Sequence, residues 1–156
     1  MPTVTLAAPP PATGDAERLT RENLGFLLAK ASQRWNDVLG QRFAAAGYPE
    51  VRPAYGSLLI PLFEEDGLRQ GELARRARLS KQTMTTMARA LAQAGLVERR
   101  GDPEDGRATR LYLTARARAF RPVAAEILAD LDERAAARLR IGRSTLESAL
   151  RSLLEL

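Results

Sequence analysis

Apolar residues at Leu24, Leu27, Leu28, Ala31, Trp35, Val38, Leu39 and Phe43 recur every three or four positions, the spacing of one helical face. Asp15 stands where an N-cap would, and Gly47, Tyr48 and Pro49 end the pattern, so the spacing predicts a long helix over residues 15–46. Pro53 suits a first helical turn. Leu58, Leu59, Leu62 and Phe63 continue a second helix, in which Pro61 should cause a kink or an early end. The Asp66–Gly67 pair predicts a turn. A short helix over Gln70–Ala77 would turn Leu73, Ala74 and Ala77 inward. Ser80 would cap another over residues 81–94, with Met84, Met87 or Ala88, and Leu91 on its apolar face. Gly95 sits where a helix closes in a left-handed residue.

Two strand-like runs follow, Leu96–Arg100 and Ala108–Leu113. The segment between them, Gly101-Asp-Pro-Glu-Asp-Gly106, is dense in turn formers, which predicts a hairpin. Thr114 would cap a long helix to about Arg140, apolar at Phe120, Val123, Ile127, Leu128 and Leu131, with Pro122 as a kink near its start. Ser144 and Glu147 have the spacing of a capping box for a last helix ending at Leu156. Residues 1–14 are rich in Pro, Ala and Thr without periodicity and read as a flexible tail. The expected fold is a single, mainly α domain over residues 15–156. A winged helix-turn-helix with a small β-hairpin wing occupies 52–113, between long helices over 15–46 and 114–156.

Composition narrows the chemistry. The 156 residues include no Cys and no His, which removes disulfides, thiolate nucleophiles, Cys/His zinc sites and imidazole acid–base chemistry. Without a Gly-rich phosphate loop as well, the reading includes no enzyme, no cofactor and no metal. Absence of cysteine suits a reducing cytoplasm, the expected location. The first residues lack the basic flank and apolar core of a signal peptide, and the apolar run at 58–63 is too short to span a bilayer, so no membrane partner is expected. The formal charge of +5 is carried by 22 Arg and two Lys, and it is unevenly placed. Residues 69–118 hold 12 basic and 5 acidic side chains, whereas the rest of the chain holds 12 and 14. A middle third with all the excess positive charge is suited to facing a polyanion.

Within that third, the helix over 81–94 has an apolar face and a polar one bearing Lys81, Gln82, Thr85, Thr86 and Arg89. Lys and Arg can donate to guanine edges, Gln can pair with adenine, and a Thr methyl can touch the methyl of thymine. The Ser80 end suits a phosphate oxygen. Arg99, Arg100, Arg107 and Arg110 cluster on the hairpin, and an Arg at a loop tip can enter a narrow minor groove. Asp102 and Asp105 cannot hold phosphate; they would cap the turn or brace Arg107 by a charge-assisted hydrogen bond.

The run Glu72-Leu73-Ala74, then Leu79-Ser80-Lys81-Gln82-Thr83-Met84-Thr85, Leu91 and Gly95-Leu96-Val97-Glu98-Arg99, is followed by Asp102-Pro-Glu-Asp105-Gly-Arg107 and Leu113-Thr114. This pattern resembles the MarR family of bacterial transcriptional regulators. The resemblance implies a homodimer with interlocking terminal helices, each winged module resting on one half of a pseudo-palindromic operator in double-stranded DNA. It implies that Ser80, Lys81, Gln82, Thr83, Thr85, Thr86 and Arg89 form the major-groove surface. Arg107 would reach the minor groove, braced by Asp105, and Arg99 and Arg110 would add to the wing. Thr86 stands where many relatives carry a basic residue, and Gly106 where Arg or Lys is common, so base preference is not transferable.

Six of the eight aromatic residues lie before residue 64. Relatives often bind phenolic or carboxylate compounds between dimer interface and DNA module. An aromatic cleft with Arg side chains, drawn from Arg34, Trp35, Arg52, Tyr55 and Phe63, is the expected site of a small aromatic or anionic effector. The expected function is therefore a sequence-specific repressor. The rival reading is a winged-helix interaction module whose basic face binds an acidic protein.

Overall fold

The computed structural model describes residues 23–156, so the expected tail over 1–14 and the proposed cap Asp15 lie outside the described residues. The chain divides into two compact units between Asp37 and Val38. Among the described residues the first helix is α1 (Leu24–Ala45). Asn23 serves its free N–H groups, its Oδ1 accepting from Gly25 at 2.9 Å and Phe26 at 3.4 Å. In the N-terminal unit Leu24, Phe26 and Leu27 are exposed, so the stripe predicted there is unburied in the single chain.

The second unit begins with the buried end of α1, Leu39 and Phe43. A 3-10 turn (Pro53–Tyr55) leads into α2 (Gly56–Glu64), whose Leu58, Leu59 and Leu62 are fully covered. A short strand β1 (Leu68–Arg69) precedes α3 (Gln70–Arg76) and α4 (Lys81–Gln93). The hairpin is β2 (Val97–Gly101) and β3 (Thr109–Leu113), followed by α5 (Ala115–Leu139) and α6 (Arg143–Leu153). Leu73, Met84, Ala88, Leu91, Leu96 and Leu111 close the core between α3, α4 and the sheet. Phe120 of α5 joins it to α1 through an edge-on contact with Phe43, centroids 4.8 Å apart.

The caps follow local chemistry. Ser80 Oγ accepts from the Thr83 N–H at 3.1 Å, and Thr114 Oγ1 accepts from the Ala117 N–H at 3.2 Å. Gly95 closes α4 with φ +73°.

Pro61 lies inside α2, three residues before its end, and Pro122 inside α5. Each frees the carbonyl four residues back, on exposed Ser57 and Arg118, where water can serve it. Ser144 and Glu147 form no capping box: Gly142 is the N-cap, without a side-chain bond, and Glu147 instead accepts from Arg143 at 2.8 Å. The sheet has three strands rather than two, in the order β1-β3-β2, all antiparallel, with Leu68 opposite Leu111 and Val97 opposite Leu113.

Gly67 makes the third strand possible. Its φ is +74°, and a Cβ built on it would lie 2.6 Å from the Tyr112 ring. The ends of the chain leave apolar surface open: Leu139, Ile141, Leu150 and Leu154 are exposed, and α6 buries no residue. Among the described residues, no helix is long and apolar enough to cross a membrane, and no acidic cluster could hold a metal ion.

Candidate nucleic-acid interface

The expected reading residues lie on one side of α4. Lys81, Gln82, Thr86 and Arg89 are exposed and have no side-chain partner among the described residues. Ser80 and Thr83 are bonded to each other, Ser80 Oγ donating to Thr83 Oγ1 at 2.9 Å. Thr85 donates its hydroxyl to the Lys81 carbonyl at 2.9 Å and accepts from Gln70 Nε2 at 3.0 Å. Its one O–H is committed, so Thr85 has its methyl and a single acceptor site left to offer a partner. Gln70 was not singled out in the sequence. Its only signal there is a polar residue opening α3, which does not show that it reaches α4.

The wing is held at its base by a carboxylate. Asp102 is buried, its side chain fully covered, beside the half-exposed side chains of Arg69 and Arg110. Arg69 Nε donates to its Oδ2 at 2.5 Å and Arg110 Nε to the same oxygen at 3.1 Å. The Glu104 N–H donates to Oδ1 at 2.9 Å. Arg110 also donates to the Gly67 carbonyl at 2.8 Å, so one carboxylate ties β1, β3 and the wing turn together. The expected bracing of Arg107 is corrected accordingly. Asp105 accepts from the backbone N–H of Arg107 at 3.0 Å, shaping the turn and leaving the guanidinium free. Arg110, expected to face DNA, is instead committed to Asp102 and Gly67.

The Glu104 N–H, reinforced by Arg69 and Arg110, holds the Asp102 carboxyl below its ordinary value of 3.8. Its folded value is depressed, so its contribution to wing stability is complete above 3.8 and is lost only as pH falls through the lowered value. An acid titration followed at the Glu104 amide resonance should show this late transition, and Asp102→Asn should abolish it. A Glu104 transition at or above the ordinary value would contradict the anchoring.

Tertiary partners sort the basic side chains of residues 69–118 into two groups. Arg75 and Arg76 pair with Glu72, Arg100 with Glu98, Arg116 with Glu50, and Arg118 with Asp66, while Arg69 and Arg110 hold Asp102. Arg100 also stacks 4.7 Å over Tyr112. The remaining five, Arg78, Lys81, Arg89, Arg99 and Arg107, have no partner among the described residues. They fall on the α3–α4 turn, α4 and the wing. Between the start of α4 and the wing lies an open groove of about 390 Å³, edged by Lys81 and Thr85 on one side and Arg107 and Thr109 on the other.

The expected effector residues differ in exposure. Tyr55 is buried in the core and so does not line an open cleft. Phe63 is half-buried, with Arg121 5.7 Å from its ring centre, and Arg52 is exposed. Arg34 and Trp35 belong to the N-terminal unit. Two other early aromatics are packing residues: Phe43 and Tyr48 both contact Phe120.

The sequence model of the MarR family matches residues 54–109. The HTH-type transcriptional repressor Rv2887 of Mycobacterium tuberculosis is 36% identical over 107 residues, covering 63% of this chain and 77% of that protein. Among solved structures, the transcriptional repressor CouR bound to a 23-mer DNA duplex is 27% identical, with a TM-score of 0.71, covering 88% of this chain and 96% of that one. The crystal structure of MarR itself is 23% identical, with a TM-score of 0.70 over 85% of this chain and 95% of that one, and shares the fold. With the helix-turn-helix, the three-stranded wing and these similarities together, the chain belongs to the MarR family of transcriptional regulators.

Proposed function

We propose that this chain is a DNA-binding transcriptional repressor that acts as a homodimer on a pseudo-palindromic operator. The observation that carries the reading is the sorting of cations: the partnerless ones of the central segment gather on the α3–α4 turn, α4 and the wing, while the others are neutralised locally. In this reading α4 enters the major groove. Lys81, Gln82 and Arg89 address base edges, Thr86 and the Thr85 methyl add contacts, and the Ser80–Thr83 end meets a phosphate. Arg107, on a wing fixed by Asp102 and a turn shaped by Asp105, reaches the minor groove, with Arg99 alongside. The exposed leucines and isoleucine of the α5–α6 end are the dimer surface, since a second copy would cover them and set two α4 helices about one DNA turn apart. An aromatic or anionic effector would release DNA by favouring a different spacing of the two α4 helices; of the expected effector residues Arg34 and Arg52 are exposed, and Trp35 and Phe63 half-buried.

The test is a fluorescence-anisotropy titration of a duplex from upstream of the protein's own gene, at ~0.15 M salt with excess unrelated duplex. Saturable binding that survives the competitor, with two chains per duplex, is the expected result. No DNA binding, together with capture of an acidic protein, would overturn it in favour of an interaction module.

A further inference from the structure

Arg78 lies in the turn between α3 and α4 with φ +52°, in the left-handed region. Glycine takes this conformation freely, while a side chain with a Cβ takes it at a cost. The turn itself does not need an arginine. The Arg78 N–H donates to the Arg75 carbonyl at 3.2 Å and the Leu79 N–H to the Ala74 carbonyl at 2.9 Å, and both bonds are made by backbone that glycine would also supply. The side chain is exposed and has no hydrogen bond, ion pair or ring contact among the described residues. Folding therefore favours glycine at this position, whereas binding a polyanion favours a cation. Arg78 stands two residues before the Ser80 cap of α4 and three before Lys81, the first residue of that helix.

We propose that Arg78 is a phosphate-gripping residue, donating from its guanidinium to the DNA backbone beside the groove that α4 reads. This rests on the DNA-binding reading above and adds a contact that sets affinity without carrying sequence information. Because a phosphate contact is indifferent to sequence, no knowledge of the operator is needed to test it.

Arg140 provides a matched comparison. It is also left-handed, at φ 55°, exposed and without a partner among the described residues, but it closes α5. The experiment is salt-dependent anisotropy with a mixed-sequence duplex of about 25 base pairs, alongside thermal unfolding, for wild type, Arg78→Gly, Arg78→Lys and Arg140→Gly. Arg78→Gly should bind roughly fivefold more weakly per protomer at ~0.15 M salt, and the slope of log affinity against log salt should fall by about 0.9 per protomer. Its Tm should rise by about 1–4 °C as the backbone cost is relieved. Arg78→Lys should keep the wild-type slope. Arg140→Gly, whose residue lies between Leu139 and Ile141 of the proposed dimer surface, is read for its Tm alone, which should rise by the same amount. An unchanged slope in Arg78→Gly, or a slope lowered equally in Arg78→Lys, overturns the proposal while DNA binding stands. A wild type without salt-dependent DNA binding overturns the functional reading and this contact together.

Discussion

Alanine at Gly67 should cost the protein about 2–4 kcal/mol, by combining a left-handed backbone with forced overpacking. The residue has φ +74°, and the new methyl would lie 2.6 Å from Cε1 of Tyr112 and 3.2 Å from its Cζ. Tyr112 has little room to retreat, being in the middle of β3, opposite Glu98 and under the Arg100 guanidinium. The backbone cannot shift freely either, because the Gly67 carbonyl accepts from Arg110 and its N–H donates to Asp66. Thermal unfolding should show a Tm lower by roughly 5–15 °C. The two causes separate in a double-mutant cycle. In a Tyr112→Ala background the same substitution should cost only the conformational part, about 1–2 kcal/mol. An equal cost in both backgrounds would show that the ring is not the obstacle.

Arg107→Ala should weaken operator binding by roughly 30- to 100-fold, on the basis of about 1–1.4 kcal/mol for each of the two wings of the proposed dimer. Stability should be unchanged within experimental error, since the Arg107 side chain has no partner among the described residues and its turn is shaped through the backbone N–H. Arg110→Ala provides the contrast. It removes one of the two cations on buried Asp102 and a bond to the Gly67 carbonyl, so it should lower both Tm and affinity. Wild-type affinity in Arg107→Ala would overturn the assignment of this residue to the minor groove.

What could be read in the sequence was what local chemistry decides. Ser80 and Thr114 cap because a hydroxyl can reach an N–H three residues on, and Gly95 ends a helix because it tolerates positive φ. The hairpin was legible in its dense turn formers. β1 was not, because two residues carry no alternation, and its pairing with β3 is settled by Leu111, far along the chain. The wing acids show the same limit. Both are visible in the turn, but which one is buried depends on Arg69, 33 positions earlier, and that contact makes Asp102 the anchor and Asp105 a turn former. The capping box at Ser144 failed because its spacing also suits an Arg143–Glu147 pair one turn along a helix that Gly142 opens. Likewise Tyr55 looked available for a ligand, yet burial against distant elements is a property of the fold rather than of the residue.

The small strand before α3 has a consequence for how the protein acquires its shape. Pairing Leu68 with Leu111 closes a loop that contains α3, α4 and the whole of β2. Closing so long a loop costs chain entropy before any contact offsets it, which makes the step slow and strongly coupled to the packing of Leu73, Met84 and Leu91. The third strand is thus the long-range member of a sheet whose other two strands are joined by a local hairpin.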